Sequence, residues 1–139
     1  DAMFDTYEIG AYTFMLLSLL YPNLKYSQKG FHQDHMHPYA GFEESKIANL
    51  KLPDGSIIDD VRKDEWRRRR NTLANLQLLE GRENERKNAT PLVDWIKVIA
   101  NSENAKYMPS DSSFELSHFE DFMDKRQKLM SDALKAILL

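Results

Sequence analysis

The chain has 139 residues, of which 42% are hydrophobic and 11% aromatic, a composition that excludes global disorder and suits one domain with a buried core. It contains no cysteine, which excludes a disulfide scaffold and a cysteine-ligated zinc site and suits a cytoplasmic protein. The net charge of −3 is not typical of a general nucleic-acid binder. Basic residues nevertheless concentrate between Arg62 and Lys87, so a local basic face is compatible with the acidic total.

The first predicted element is a helix that ends before Pro22. Asp5 and Glu8 have the spacing of a capping box, and apolar residues recur at helical spacing from Ile9 to Leu20. This apolar run is about a dozen residues long, whereas a membrane-spanning helix needs roughly 20. The run therefore predicts a buried core helix and no membrane partner.

A short strand is predicted for residues 31–37, because Pro38 biases the residue before it toward extended geometry. The segment holds one aspartate and three of the chain's four histidines: His32, Asp34, His35 and His37. Downstream, Asp60 is predicted to cap a charged helix that continues to about Thr72. Residues 73–79 fit a strand or a helix equally well.

The C-terminal half is predicted to be helical. Residues 80–82 break the preceding run, a helix resumes over residues 83–88, and Pro91 starts another helix that includes Ile99. Ser117 and Glu120 form a capping box for the last helix. Its apolar stripe predicts core packing or a contact with another domain, and comprises Phe119, Phe122, Met123, Leu129, Met130, Leu134, Ile137 and Leu138. Trp66 and Trp95 are predicted to be core residues.

The pair Asp34 and His35 carries the clearest chemistry. A carboxylate can hold a divalent cation while an adjacent imidazole takes a proton from water. A hard ion such as Mg²⁺ needs further oxygen ligands, and Asn84, after a glycine-containing turn, could supply an amide oxygen. Lys87 follows one helical turn later and could face a phosphate.

These residues resemble a known family. Asp34-His35-x-x-Pro38 followed by Asn75-x8-Asn84-x2-Lys87 looks like the ββα-metal finger of HNH endonucleases, with a spacing similar to that in RNA-guided CRISPR nucleases. The flanking stretches LLYP, NLQLLEGRENERKN and FEDFMDKRQKLM resemble the C-terminal nuclease domain of GmrSD-type restriction enzymes. The core resemblance covers approximately residues 31–97. The chain departs from the oldest form of the motif because no final histidine follows Asn84.

The resemblance implies an α+β, mainly helical fold with a ββα-metal finger embedded among flanking helices, in which residues 75–79 form the second strand. It implies that His35 is the general base, and that Asp34 and Asn84 hold one Mg²⁺ or Mn²⁺ ion. Asn75 would position His35 or brace the loop. The residues between His35 and Asn75 would then be an insertion that carries the arginine-rich helix.

The implied activity is hydrolysis of DNA phosphodiester bonds by the effector domain of a phage-defence or modification-dependent restriction protein. Residues 1–139 would be one nuclease domain at the C-terminal end of a longer protein, after a ParB-like nucleotide-hydrolysing domain. Candidate phosphate and DNA contacts are Lys87, Arg86, Arg67 and Arg70. For the arginines a solvated helix face is the competing interpretation.

Two other functional interpretations stay open at this point. The domain could be a non-catalytic nucleic-acid-binding or interaction module that keeps the HNH scaffold. It could also be a structural zinc domain that uses His32, Asp34, His35 and His37. For His37 alone, a phosphate contact, a supporting role beside the site and an ordinary surface position are equally compatible with the sequence.

Overall fold

The computed structural model describes residues 8–26 and 30–139. Over these ranges the fold is α+β and mainly helical, with one two-stranded antiparallel sheet. The strands are β1 (Phe31–His35) and β2 (Leu76–Glu80). The helices are α1 (Ala11–Leu20), α2 (Glu44–Ile47), α3 (Asp60–Arg69), α4 (Gly81–Lys87), α5 (Leu92–Ile99) and α6 (Phe119–Leu138).

The sheet brings the two halves of the sequence motif together. In its register Asp34 lies opposite Gln77, and His35 lies opposite Leu76. Helix α4 begins directly after β2 and packs against both strands. Strands are confirmed in both predicted places, although β1 ends earlier than expected, at His35. The run ends at Glu80, within the predicted break, but the predicted helix start at residue 83 is wrong, because α4 already begins at Gly81.

Helix α6 connects the two main apolar clusters. Its first turns carry Phe119, Phe122 and Met123 into a cluster that includes Trp66, and its later turns pack against α1. The predictions of core positions for both tryptophans and for most of the α6 stripe are confirmed, since these side chains are buried. Core packing is wrong for three stripe members, which are exposed: Leu129, Ile137 and Leu138.

Helix α1 is only half buried. Leu16, Leu17 and Leu20 are in the core, whereas Tyr12 and Met15 are 56% and 44% exposed, so the prediction of a buried core helix holds for one face. The predicted cap residue Asp5 lies outside the described residues. None of the described helices combines the length and the apolar character that a membrane crossing requires.

Two predicted helix caps are wrong. The first residue of α3 is Asp60, and its cap is the preceding Asp59, whose Oδ1 accepts a hydrogen bond from the Arg62 N–H at 2.8 Å. Helix α6 is preceded by a 3₁₀ turn (Leu116–His118), and no side chain caps it. Glu120, expected to complete the capping box, instead accepts a hydrogen bond from Trp66 Nε1 at 3.1 Å.

A buried arginine joins α6 to the start of β2. The Arg126 guanidinium is fully buried and donates to the backbone oxygens of Ala74 and Leu76 at 2.7 and 2.9 Å, and to the Tyr21 hydroxyl at 2.5 Å. These oxygens replace water around the buried charge. The bonds fix the backbone on both sides of Asn75.

Candidate active site

Asn75 fixes the loop that follows the Asp34-His35 pair. It is fully buried. Its Oδ1 accepts from the His37 N–H at 2.9 Å, and its Nδ2 donates to the backbone oxygens of His37 and Arg70 at 3.1 and 2.9 Å. The Met36 N–H also donates to the Asn75 backbone oxygen at 2.7 Å. One side chain therefore joins the loop after β1 to the end of the arginine-rich segment.

Asp34 is held by a polar network across the sheet. Its Oδ2 accepts a hydrogen bond from Gln77 Nε2 at 3.0 Å and lies 3.2 Å from Lys87 Nζ. Asn104 Nδ2 donates in turn to Gln77 Oε1 at 3.1 Å. The other carboxylate oxygen, Oδ1, has no hydrogen-bond partner among residues 8–26 and 30–139. Asp34 is therefore oriented through one oxygen, while the other remains available to a ligand.

The His35 imidazole lies between two side chains that the motif does not contain. Its Nε2 is 2.8 Å from Asn71 Oδ1, and its ring meets the Tyr39 ring edge-on at 5.7 Å between centroids. Burial lowers the pKa of His35, and the hydrogen bond to Asn71 and the charge of Asp34 only partly oppose this effect. A neutral imidazole at pH 7 is the form that can accept a proton.

Lys87 is buried against the backbone of the motif. Its Nζ donates to the His35 backbone oxygen at 2.7 Å, and its side chain is 1% exposed. Burial lowers the pKa of Lys87, and the neighbouring Asp34 carboxylate opposes the shift. Asn84 lies one turn earlier on the same face of α4 and is half-buried, while Arg86 is exposed.

A cavity of about 230 Å³ opens at this point. Its walls bring together three residues that the sequence singled out, Asp34, His35 and Lys87, and the complete lining is Asp34, His35, Pro38, Tyr39, Ala40, Lys87, Asn88 and Ala89. The acidic side chain of Asp34, the neutral imidazole of His35 and the cationic side chain of Lys87 thus line one small cleft. This combination suits acid–base chemistry on a charged substrate.

Arg67 and Arg70, two of the predicted phosphate and DNA contacts, differ in their surroundings. Arg67 donates to the Phe42 backbone oxygen at 3.1 Å and forms an ion pair with Glu44 at 3.3 Å. The Arg70 guanidinium instead lies 3.6 Å above the centre of the Tyr39 ring. Within the part of the chain that the structure describes, Arg70 has no carboxylate partner. Its charge is therefore available beside the cavity.

The remaining histidines are separate from His35. The His37 ring packs edge-on against Phe119 and Phe122, with centroids 5.5 and 4.9 Å apart, and burial lowers its pKa to about 3. His32 is exposed on β1. Over residues 8–26 and 30–139 no three His, Asp or Glu side chains come together as a metal-binding group. The zinc site considered from the sequence is therefore not formed.

Three polar residues of the site were not found from the sequence. Gln77 could have been found, because pairing the predicted strands places it opposite Asp34. Asn71 and Asn104 could not have been found, because no local sequence pattern shows that their segments pack against the sheet.

Comparison of the sequence with models of known protein families finds no match, and comparison with curated proteins finds none either. The chemistry of the cleft around Asp34 and His35 is therefore the basis on which a function can be assigned.

Proposed function

We propose that this domain is a metal-dependent endonuclease of the HNH type that hydrolyses phosphodiester bonds in DNA. The observation that carries the proposal is the shared cleft of Asp34 and His35, at the end of β1 and beside the helix that follows β2. The order strand, strand, helix is the arrangement that a ββα-metal finger requires. The sequence spacing from Asp34 to Asn84 and Lys87 supports the same assignment.

The donor atoms suit a hard divalent ion. Mg²⁺ and Mn²⁺ prefer oxygen ligands, and Mg²⁺ commonly takes only one or two from protein while keeping several waters. Asp34 offers Oδ1, which no described residue occupies. Asn84 does not line the cavity, but it precedes Lys87 by one turn of α4 and would offer an amide oxygen from there. Asp34 and Asn84 are therefore the residues that would hold Mg²⁺ or Mn²⁺.

His35 is the general base of the proposed reaction. Neutral near pH 7 because burial lowers its pKa, it takes a proton from the water that attacks the phosphorus atom. An ion held by Asp34 and Asn84 would supply positive charge to stabilise the phosphate and the leaving oxygen. Asn75 contributes by holding the loop that follows His35 at a fixed position, through its bonds to His37.

Phosphate binding is best assigned to Arg70. Lys87 is buried, and its ammonium group contacts His35 and Asp34. Its proposed role is therefore to orient the Asp34 carboxylate rather than to bind the substrate. Arg70 lies on the face of Tyr39, which lines the cleft, and its charge adds to the effect of burial in lowering the pKa of His35. Arg86, exposed on α4, is suited to more distant phosphates of the same strand.

A non-catalytic nucleic-acid-binding module is the second candidate, and one observation favours it. The Asp34 carboxylate is already paired with the buried Lys87 ammonium at 3.2 Å, so its charge is balanced without a metal ion. Salt-dependent DNA binding without cleavage in any divalent ion would identify this function.

A plasmid-nicking assay separates the two candidates. Supercoiled DNA is incubated with the domain in Mg²⁺, in Mn²⁺ and in EDTA, and His35→Ala is compared with His32→Ala, an exposed histidine of the same strand. The proposal predicts nicking by the native domain and by His32→Ala only when a divalent ion is present. Equal nicking by the native domain and His35→Ala would refute it.

The biological setting is part of the same proposal. The stretches that flank the motif resemble the nuclease domain of GmrSD-type restriction enzymes, which supports a role as the effector of a cytoplasmic phage-defence protein with a ParB-like nucleotide-hydrolysing partner domain. Since an HNH finger carries only the cleavage chemistry, the choice of target would belong to that partner.

A further inference from the structure

Asn71 contacts the proposed base from outside the sequence motif. It lies two residues after α3 ends, and its Oδ1 is 2.8 Å from His35 Nε2. Its backbone is fixed from both sides, because its N–H donates to the Arg68 oxygen at 3.3 Å and its oxygen accepts from the Ile9 N–H at 3.2 Å. The amide group is therefore presented to the imidazole from a fixed position.

The contact has a chemical consequence for the imidazole. A neutral imidazole carries one N–H donor and one acceptor lone pair, and the partner of one nitrogen decides which is which. A carbonyl oxygen can only accept. With Asn71 Oδ1 at Nε2, the proton belongs on Nε2 and the lone pair on Nδ1. The Nδ1 atom forms no hydrogen bond with any described residue.

We propose that Asn71 is a positioning residue that holds His35 as its Nε2–H tautomer and so makes Nδ1 the atom that accepts the proton from water. The catalytic consequence rests on the proposed nuclease function, whereas the tautomer does not. Lys87 fixes the backbone oxygen of His35 and Asn71 fixes the far edge of its ring. Lys87 thus holds the backbone of the base, and Asn71 restrains the rotation of its ring.

The opposite arrangement would have the opposite effect. If the Asn71 amide were reversed, its Nδ2 would donate to Nε2 and the proton of the ring would sit on Nδ1. His35 could then not accept a proton from a water molecule at Nδ1. The tautomer is therefore a direct measure of the role assigned to Asn71.

The first test is the tautomer itself, which long-range ¹H–¹⁵N NMR correlations of the imidazole ring report directly. Spectra are recorded at about pH 8, above the ordinary pKa of histidine, and the His35 signals are assigned by their loss in His35→Ala. We expect the Nε2–H form in the native domain and in Asn71→Asp, which keeps the acceptor oxygen. Asn71→Leu should show averaging between the two tautomers. An Nδ1–H form in the native domain, or a spectrum unchanged in Asn71→Leu, would overturn the inference.

The second test measures what the positioning contributes to cleavage. Loss of a group that orients a catalytic side chain typically costs about 10- to 100-fold in activity, so kcat of Asn71→Leu should fall by that factor. The KM for DNA and the half-saturating Mg²⁺ concentration should stay unchanged, and Asn71→Asp should recover most of kcat. A fall in kcat that Asn71→Asp does not recover would contradict the positioning role.

The two tests fail independently. If the native domain cleaves no DNA, the nuclease proposal fails, and the NMR spectrum still decides whether Asn71 sets the tautomer. If Asn71→Leu does not fold, Asn71→Ala removes the same oxygen with a smaller side chain, and the same spectral change is expected from it.

Discussion

Replacing Asn75 with alanine should destabilise the domain more than any other asparagine substitution near the cleft. The side chain is fully buried and forms three hydrogen bonds, to the His37 N–H, the His37 oxygen and the Arg70 oxygen, at 2.9, 3.1 and 2.9 Å. The substitution leaves those three backbone groups in the interior without their partner. It also opens a small cavity beneath the loop.

The expected magnitude follows from these bonds. Each contributes about 1 kcal/mol net, and an abandoned buried group costs as much or more, so the free energy of unfolding should fall by about 3 kcal/mol. For a domain of this size, about 1 kcal/mol corresponds to roughly 4 °C in Tm. Asn75→Ala should therefore melt roughly 12 °C lower than the native domain.

Urea and thermal unfolding followed by circular dichroism measure this loss, with Asn84→Ala as the matched control. Asn84 is half-exposed on α4 and has no hydrogen-bond partner for its side chain within the described ranges, so its replacement should change stability by less than about 0.5 kcal/mol. It should nevertheless reduce cleavage, because a proposed metal ligand is lost. A loss below about 1 kcal/mol in Asn75→Ala would refute the bracing role.

Three further predictions concern charge. Burial lowers the pKa of His37 to about 3 in the folded domain, whereas the unfolded chain takes up that proton near pH 6.5. Lowering the pH from 7 to 5 should therefore reduce the free energy of unfolding by about 2 kcal/mol more in the native domain than in His37→Leu, as measured by urea titrations. Equal losses in the two proteins would contradict the assigned burial. Burial also lowers the pKa of His35, so the acidic limb of the cleavage rate should lie below pH 6.5, and a limb above pH 7 would count against His35 as base. Arg70→Gln should raise the KM for DNA more than Arg67→Gln, since Arg67 is already paired with Glu44. Steady-state kinetics at constant salt measure the two KM values. A larger increase in Arg67→Gln would contradict the assignment of Arg70 to phosphate binding.

The first strand could be predicted because its signal, the residues ahead of Pro38, is local. Residues 73–79 fit a strand or a helix equally well, and only the resemblance to the ββα-metal finger makes residues 75–79 the second strand. The structure moves the ends of both strands by one or two residues. The cap of α6 could not be predicted in the same way. Glu120 fits a capping box by spacing, but it forms an ion pair with Arg62 and bonds to Trp66 from α3, contacts that no local pattern reveals.

In the candidate site, too, some residues follow from local sequence signals and others depend on how distant segments pack. Asp34 and His35 are adjacent in sequence, so both belong to the end of β1, and the register of the sheet adds Gln77. The position of Asn71 depends on how the segment between the two strands folds back, which places its amide against an imidazole from β1. Burial of Lys87 depends on how α4 packs against β1 and β2. For that reason a lysine that suggested a phosphate contact is found bonded to the backbone of the motif.

The single-turnover cleavage rate of a labelled duplex, measured across a Mg²⁺ titration for the native domain and His35→Ala, tests the central claim most directly. General-base catalysis contributes about 10²- to 10⁴-fold, so the rate at saturating Mg²⁺ should fall by at least about 100-fold in His35→Ala, with an unchanged half-saturating Mg²⁺ concentration. Equal saturating rates for the two proteins, or cleavage by the native domain in EDTA, would contradict a metal-dependent reaction with His35 as its base.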